Sequence, residues 1–195
     1  VAAIERVTDP TQRIEWDIGS AIRSQTPGLS KGLPPARDVW GRPITSGSGF
    51  GPWYDLLSPF GASERKPNPV DTELQRLEHW IPTPARKLSF GGVSVDLATN
   101  PQAYSRYVEL AGNATKVNGI GLYDRLAAMV SGKGEDAEGY AALTDGPDGS
   151  KAMQIEKFVH NYQQAAKIEL LDEFPEVRAE LDRRREEKEQ ALTPD

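Results

Sequence analysis

Apolar and polar positions along this chain fall into two regimes. From residue 70 onward apolar residues recur at helical spacing, with one short two-residue alternation among them, whereas over residues 27–69 proline and glycine interrupt the chain every few positions and no period develops. Residues 1–26 stand apart as one helical segment. Over 9–25, Asp9 is a good N-cap and Pro10 takes the first helical position; Ile14, Ile18, Ala21 and Ile22 make one apolar stripe, and Pro27-Gly28 ends it.

In the periodic part the spacing predicts a short helix over 70–81. Asp71 is its expected N-cap, Val70, Leu74 and Leu77 its apolar side, and Pro82-Thr83-Pro84 its stop. Residues 87–97 read as a β-hairpin in which Leu88 and Phe90 face Val93 and Val95 across Gly91-Gly92. A helix over 100–111 starts at Asn100 with Pro101 in its first turn. It carries Tyr104, Tyr107, Val108 and Ala111 on one side and stops at Gly112. Residues 121–131 give another helix, with Leu122, Leu126, Met129 and Val130, closed by Gly132; 135–143 is a weak one. The strongest pattern is 149–173, where Met153, Ile155, Phe158, Val159, Tyr162, Ala166, Ile168, Leu170 and Leu171 form a broad apolar stripe. Pro175 interrupts it, and 176–191 continue as a highly charged helix with Val177, Ala179 and Leu181. The expected fold is mainly α, with several short helices, one long C-terminal helix and one hairpin. The expected divisions are 1–26, an extended docking segment 27–69, a helical domain 70–175 and a charged helix 176–195.

The extended segment is not simple linker. It holds Leu29, Leu33, Val39, Trp40, Ile44, Phe50, Trp53, Tyr54, Leu56, Leu57 and Phe60, and disordered linkers are poor in aromatics. Proline lowers the entropy cost of ordering such a strip and aromatics supply contact area. It is therefore built to lie along another surface, either this chain's own helices or another subunit. Leu29, Leu33, Val39, Trp40, Phe50, Trp53, Tyr54 and Phe60 are the residues expected to make partner contact.

Composition narrows the chemistry. The absence of cysteine excludes a disulfide framework, thiolate metal ligands and a cysteine nucleophile. A net charge of −6 suits duplex DNA poorly, because phosphate neutralisation needs clustered Lys and Arg. No apolar run approaches the ~20 residues that span a bilayer. Val1–Ala3 are followed at once by Glu5, Arg6 and Asp9, unlike a signal peptide. The chain begins with Val and not Met, which leads us to expect a part of a longer protein.

Each candidate motif has a plainer reading. Ser46-Gly47-Ser48-Gly49-Phe50-Gly51 lacks the strand, helix and Lys of a phosphate loop. His79 and His160 have no companion ligand at metal spacing and no nucleophile elbow near them. Among the 29 carboxylates, Asp172-Glu173 and Glu186-Glu187 are expected on solvent-facing helix surface, and Asp136, Glu138, Asp145 and Asp148 around turns. Asp145-Gly146-Pro147-Asp148-Gly149 lacks the ligand ladder of a calcium loop and reads as a turn that caps the long helix. Arg183-Arg184-Arg185 is bracketed by Glu180, Asp182, Glu186 and Glu187, the pattern of a solvated helix braced by ion pairs. Trp40, Trp53, Tyr54 and Trp80 could stack bases, but without interleaved Lys and Arg they fit an interface better.

The run from Pro27-Gly28-Leu29 through Lys31-Gly32-Leu33-Pro34-Pro35-Ala36-Arg37-Asp38-Val39-Trp40-Gly41-Arg42-Pro43-Ile44 resembles a segment near the C-terminus of large phage structural polyproteins, the tape-measure-like, internal-virion or "large polyvalent" proteins. Leu57-Ser58-Pro59-Phe60, Lys66 to Pro69, Tyr104 to Gly112, Leu143 to Gly149 and Leu171 to Pro175 keep the same order, so the resemblance spans roughly residues 26–175. It implies a non-catalytic assembly segment inside the capsid or tail, in several copies, contacting portal, core or tail subunits. Some such proteins enter the host envelope to help deliver the genome. No cofactor, metal or active-site residue is carried over, and nucleic acid is not expected as a specific ligand. The rival expectations are a peptidoglycan-cleaving virion enzyme acting through Glu or Asp and an organiser of packaged DNA.

Overall fold

A computed structural model of the chain describes residues 34–44, 68–146 and 150–192. The architecture is mainly helical, with six α-helices among the described residues. Helix α1 spans Pro69–Arg76, and the hairpin follows as β1 (Lys87–Phe90) and β2 (Val93–Asp96). Helix α2 spans Pro101–Glu109 and runs into a π-turn at Leu110–Ala114. A second small hairpin, β3 (Lys116–Val117) with β4 (Ile120–Gly121), leads into α3 (Leu122–Val130). Then come α4 (Ala137–Ala141), α5 (Ser150–Glu173) and α6 (Pro175–Leu192).

The local signals explain most of these elements. Asn100 accepts from the Ala103 N–H and Pro101 opens α2, as the sequence predicts. The β1–β2 register pairs Leu88 with Val95 and Phe90 with Val93. Gly91 (φ 61°) and Gly92 (φ 79°) both adopt the left-handed region that a tight two-residue turn requires. Pro175 has no N–H to continue α5, so the chain breaks at Phe174 and Pro175 becomes the first residue of α6. The helical reading of 9–25 lies outside the described residues, as does most of the 27–69 strip.

Four expectations need correction. Helix α1 is capped not by Asp71 but by Asn68, whose side chain accepts from the N–H groups of Val70 and Asp71. It also ends at Arg76, not residue 81. The N–H of His79 donates to Leu74 O and that of Glu78 to Gln75 O, with Glu78 at φ 52°, a left-handed helix stop without glycine. The β3–β4 hairpin was not expected, although Asn118-Gly119 (φ 54° and 80°) is the strongest short hairpin signal in the chain. On α5 the buried residues are Ala152, Ile155, Tyr162, Ala166, Leu170 and Leu171, whereas Met153 and Ile168 are 56 % and 54 % exposed. At about 100° per residue, a position two away from the stripe points to the opposite side of the helix.

Two apolar clusters share α5 as a spine. One joins the β1–β2 hairpin and α2 to the C-terminal half of α5 and to α6, around Leu88, Leu97, Leu110, Leu170 and Leu181. The other joins α1, α3 and α4 to the N-terminal half of α5, around Val70, Leu77, Leu126, Met129 and Ile155, and it includes Trp40. None of the described helices is long and apolar enough to cross a membrane.

Candidate docking site of the aromatic strip

The described part of the strip, residues 34–44, is a small strap folded back on itself. Arg37 bridges Pro43 antiparallel, Asp38 N–H donates to Arg42 O and Gly41 N–H to Asp38 O, so residues 39–41 form a three-residue hairpin loop. Gly41 closes it at φ 75°. Asp38 locks the loop from inside: its Oδ1 accepts from the N–H groups of Trp40 and Arg42, and its Oδ2 from Arg42 Nε at 2.8 Å. An aspartate that bonds the backbone two residues on is the usual way to stabilise such a turn.

The loop presents Trp40 to the body of the protein. The indole is 2 % exposed. It tilts against the Tyr123 ring of α3 at 5.6 Å between centroids, and its Nε1 donates to Asp71 Oδ1 of α1 at 2.7 Å. Asp71 is thus the polar end of the Trp40 pocket. Burial raises its carboxyl above the ordinary aspartate value, against the lowering effect of the indole N–H and of Arg42. Arg42 in turn lies over the Tyr123 ring, 5.3 Å from its centroid.

Backbone meets backbone at the edge of this pocket. A Cβ built on Gly112 would lie 2.2 Å from Trp40 C and 2.4 Å from Gly41 N, and one on Gly41 would lie 2.8 Å from Glu109 Cα. Only a glycine pair permits this crossing. Gly112 sits within the π-turn, where Thr115 N–H reaches back to Leu110 O, a widening of the kind often found at functional positions. The sequence places Gly112 as a helix stop; the structure uses it as the floor of the strap's seat.

Arg37 fastens the other side. Its guanidinium donates to Gly41 O within the loop at 2.7 Å, and to Ser105 Oγ at 3.2 Å and Glu109 Oε2 at 2.9 Å, which lie 68 and 72 residues further along the chain. Its side chain is 14 % exposed, so these partners replace most of its water. The ion pair continues across the surface: Glu109 also meets Arg106 at 3.3 Å, and Arg106 grips Glu173 of α5 through two bonds of 2.7 Å. Arg106 holds the Glu173 carboxyl below the usual glutamate range.

Of the residues expected to contact a partner, Trp40 therefore spends its surface inside this chain, and Val39 beside it is half-buried against the same cluster. Leu29, Leu33, Phe50, Trp53, Tyr54 and Phe60 lie outside the described residues. Trp80 is described and is 54 % exposed.

Other polar side chains tie elements together, Asp136 and Asp145 of the turns among them. Glu73 of α1 accepts from Tyr140 OH at 2.6 Å and pairs with Arg76, which shares Asp145 with Lys151 at the start of α5. Arg125 of α3 holds Asp136 at 2.7 Å and covers the Phe158 ring. His79 Nε2 comes within 3.2 Å of Glu156 Oε1, but without the alignment of a hydrogen bond. His160 is exposed beside Gln164. Arg183 pairs with Glu180 and Glu187 along α6, as expected for a braced helix. Its neighbours do more than the sequence suggests: Arg184 donates to Ser94 O and Lys188 to Gly92 O, so α6 covers the outer edge of β2. A groove of about 280 Å³ opens where Phe90 at the hairpin tip meets Ile168, Leu181 and Arg185. No group of three or more His, Asp or Glu among the described residues is arranged to hold a metal ion.

No protein-family model, curated protein or solved structure matches the chain.

Proposed function

We propose that this chain is a non-catalytic assembly segment of a large phage internal virion (ejection) protein, one that contacts other virion subunits and supports genome delivery. The observation that carries the reading is the strap. A proline-stiffened, aromatic-bearing segment is clipped by Trp40, Arg37 and a glycine crossing onto helices 31 to 72 residues away in sequence. That is how a docking segment is anchored, and aromatic side chains of the kind the strip carries supply contact area to a partner. The ordered motifs over residues 26–175 point to the same class of protein. The use of Glu73, which accepts from Tyr140, and of Glu109, Glu173, Asp136 and Asp145 as cross-element braces fits a scaffold.

The test is mass spectrometry of purified particles from an infected culture. Peptides of this chain at the stoichiometry of a structural component, with light scattering of the purified chain showing a defined oligomer, are the expected result. Peptides abundant in the lysate but absent from particles would overturn it. Cell-wall cleavage abolished by one carboxylate substitution would point to a virion enzyme, and steeply salt-dependent DNA binding to a genome organiser.

A further inference from the structure

The groove at the hairpin tip and the last turns of α6 share one side of that helix. Arg178, Leu181, Asp182 and Arg185 are the α6 residues that line the groove, facing Phe90, Ile168 and Leu171. Arg185 stands at its rim against the hairpin turn, with Nη2 2.7 Å from where a Cβ on Gly91 would lie. At about 100° per residue, Leu181, Arg185, Glu189 and Leu192 fall within roughly 80° of one another, so the groove's side of α6 continues to the helix end. Residues 186–192 are all exposed there, and Leu192, at 72 %, is the most exposed large apolar side chain among the described residues. Burial would favour covering both the groove and this leucine. They cannot cover each other within one chain. Leu192 lies eleven residues beyond Leu181, about 16 Å along the axis, and a straight helix does not bring its end back onto its middle.

The charges of α6 divide at the same place. Residues 178–185 carry four arginines against Glu180 and Asp182, a net +2, and residues 186–192 carry Lys188 against Glu186, Glu187 and Glu189, a net −2. Two copies of α6 side by side in the same direction would set like charge against like. In opposite directions each basic segment faces an acidic one. With Leu192 of one copy set opposite Asp182 of the other, over the groove, the same register puts Arg185 opposite Glu189 and Glu186 opposite Lys188.

We propose that α6 packs antiparallel on α6 of a second copy, so that Leu192 of each copy enters the groove at the other's hairpin tip. A two-fold pair of this kind fills both grooves, covers both leucines and closes at two copies. The proposal rests on the assembly reading and supplies it with a contact between copies.

Sedimentation velocity on the full chain tests it over about 0.01–0.5 mM, a range suited to a small interface. The expected result is a monomer–dimer equilibrium that weakens as sodium chloride rises from about 0.05 to 0.5 M. Leu192→Ser should weaken it by at least about tenfold, because two leucines lose their cover, with the melting temperature of the dilute monomer unchanged. Arg185→Glu and Glu189→Arg should each prevent self-association, since each sets like charges opposite at both ends of the pair. Mixed together, the two variants restore opposite charges at both ends and should dimerise with each other. A wild-type chain that stays monomeric, a dimer indifferent to Leu192→Ser, or a mixture that fails to associate would overturn the proposal. If Arg185→Glu loses helical circular dichroism, Leu192→Ser still decides, because so exposed a side chain contributes little to the fold. A dimer that ignores Leu192→Ser leaves the virion reading standing, and absence of the chain from particles leaves an α6 dimer standing.

Discussion

Replacing Gly112 by alanine adds one methyl group at the point where the strap crosses the π-turn. That Cβ would stand 2.2 Å from Trp40 C, 2.4 Å from Gly41 N and 2.5 Å from Trp40 O. All three are backbone atoms and cannot rotate away, and ordinary contact begins near 3.4 Å. The strap must therefore lift by about 1.2 Å, which would stretch the 2.7 Å Trp40–Asp71 bond beyond hydrogen-bonding range. If the loop only strains, overpacking costs about 1–3 kcal/mol. If Trp40 leaves its pocket, the cost approaches the about 3–5 kcal/mol of emptying a buried tryptophan site. Gly112 is not held at a positive φ, so alanine brings no backbone penalty there; by restricting the unfolded chain it would stabilise by about 0.4–1 kcal/mol. The sign of the result thus decides between a steric crossing and an open position. Urea unfolding followed by circular dichroism gives the free energy, and deuterium uptake of residues 34–44 reports whether the strap has opened. Gly139 in α4 is the control: nothing lies within 4 Å of its Cβ position, and Gly139→Ala should stabilise by about 0.5–1 kcal/mol on helix propensity. A Gly112→Ala chain with an unshifted urea midpoint and a protected strap would refute the reasoning.

Three further outcomes follow from single contacts. Glu78→Gly should raise the melting temperature by a few degrees: the left-handed φ of 52° costs a side-chain-bearing residue about 1–2 kcal/mol, only partly offset by glycine's greater unfolded-state freedom; an unchanged or lower melting point would contradict the assigned helix stop. Asp71 has its folded-state pKa raised above 3.8, chiefly by burial, so the native state keeps a proton that the unfolded chain has released, and this group's contribution to stability falls as pH rises from 3.8 to the raised value. Asp71→Asn keeps an acceptor for the indole and should remove that slope in urea midpoints measured over about pH 3–6; parallel curves for the two proteins would be the adverse result. Glu173 is shifted the other way by Arg106, so its pairing stabilises above the ordinary glutamate value of 4.5 and is lost as pH falls through the lowered folded value. Glu173→Gln should cost under about 1 kcal/mol at neutral pH, since the carboxylate side chain is 35 % exposed, and should flatten acid-side stability in the same titration.

The candidate site was legible in part. Trp40 stands out in the sequence as an aromatic in a proline-rich strip, but whether it served this chain or a partner stayed open. Arg37 and Gly112 gave no sign of their use. Arg37 looks like any exposed arginine until Ser105 and Glu109 are brought beside it, and Gly112 looks like an ordinary helix end until the strap crosses it. The Asn118-Gly119 hairpin is different: its signal lies in two adjacent residues and needs no tertiary contact to be legible.

Short-range chemistry determined the elements themselves. The Asn100-Pro101 start of α2, the Gly91-Gly92 turn and its register, the Pro175 break and the helical period of α5 each depend on residues within a few positions of one another, where propensity, capping and backbone dihedral limits act directly. Tertiary structure alone decided which side of α5 would face outward at Met153 and Ile168, that Asp71 would hold an indole and not cap a helix, that Arg184 and Lys188 would cover the β2 edge, and that the strap would close on Gly112. Those outcomes depend on groups about 30 to 96 residues apart, brought together by packing two apolar clusters on one helix. A sequence pattern records how strongly each position prefers burial, but not which distant surface will bury it.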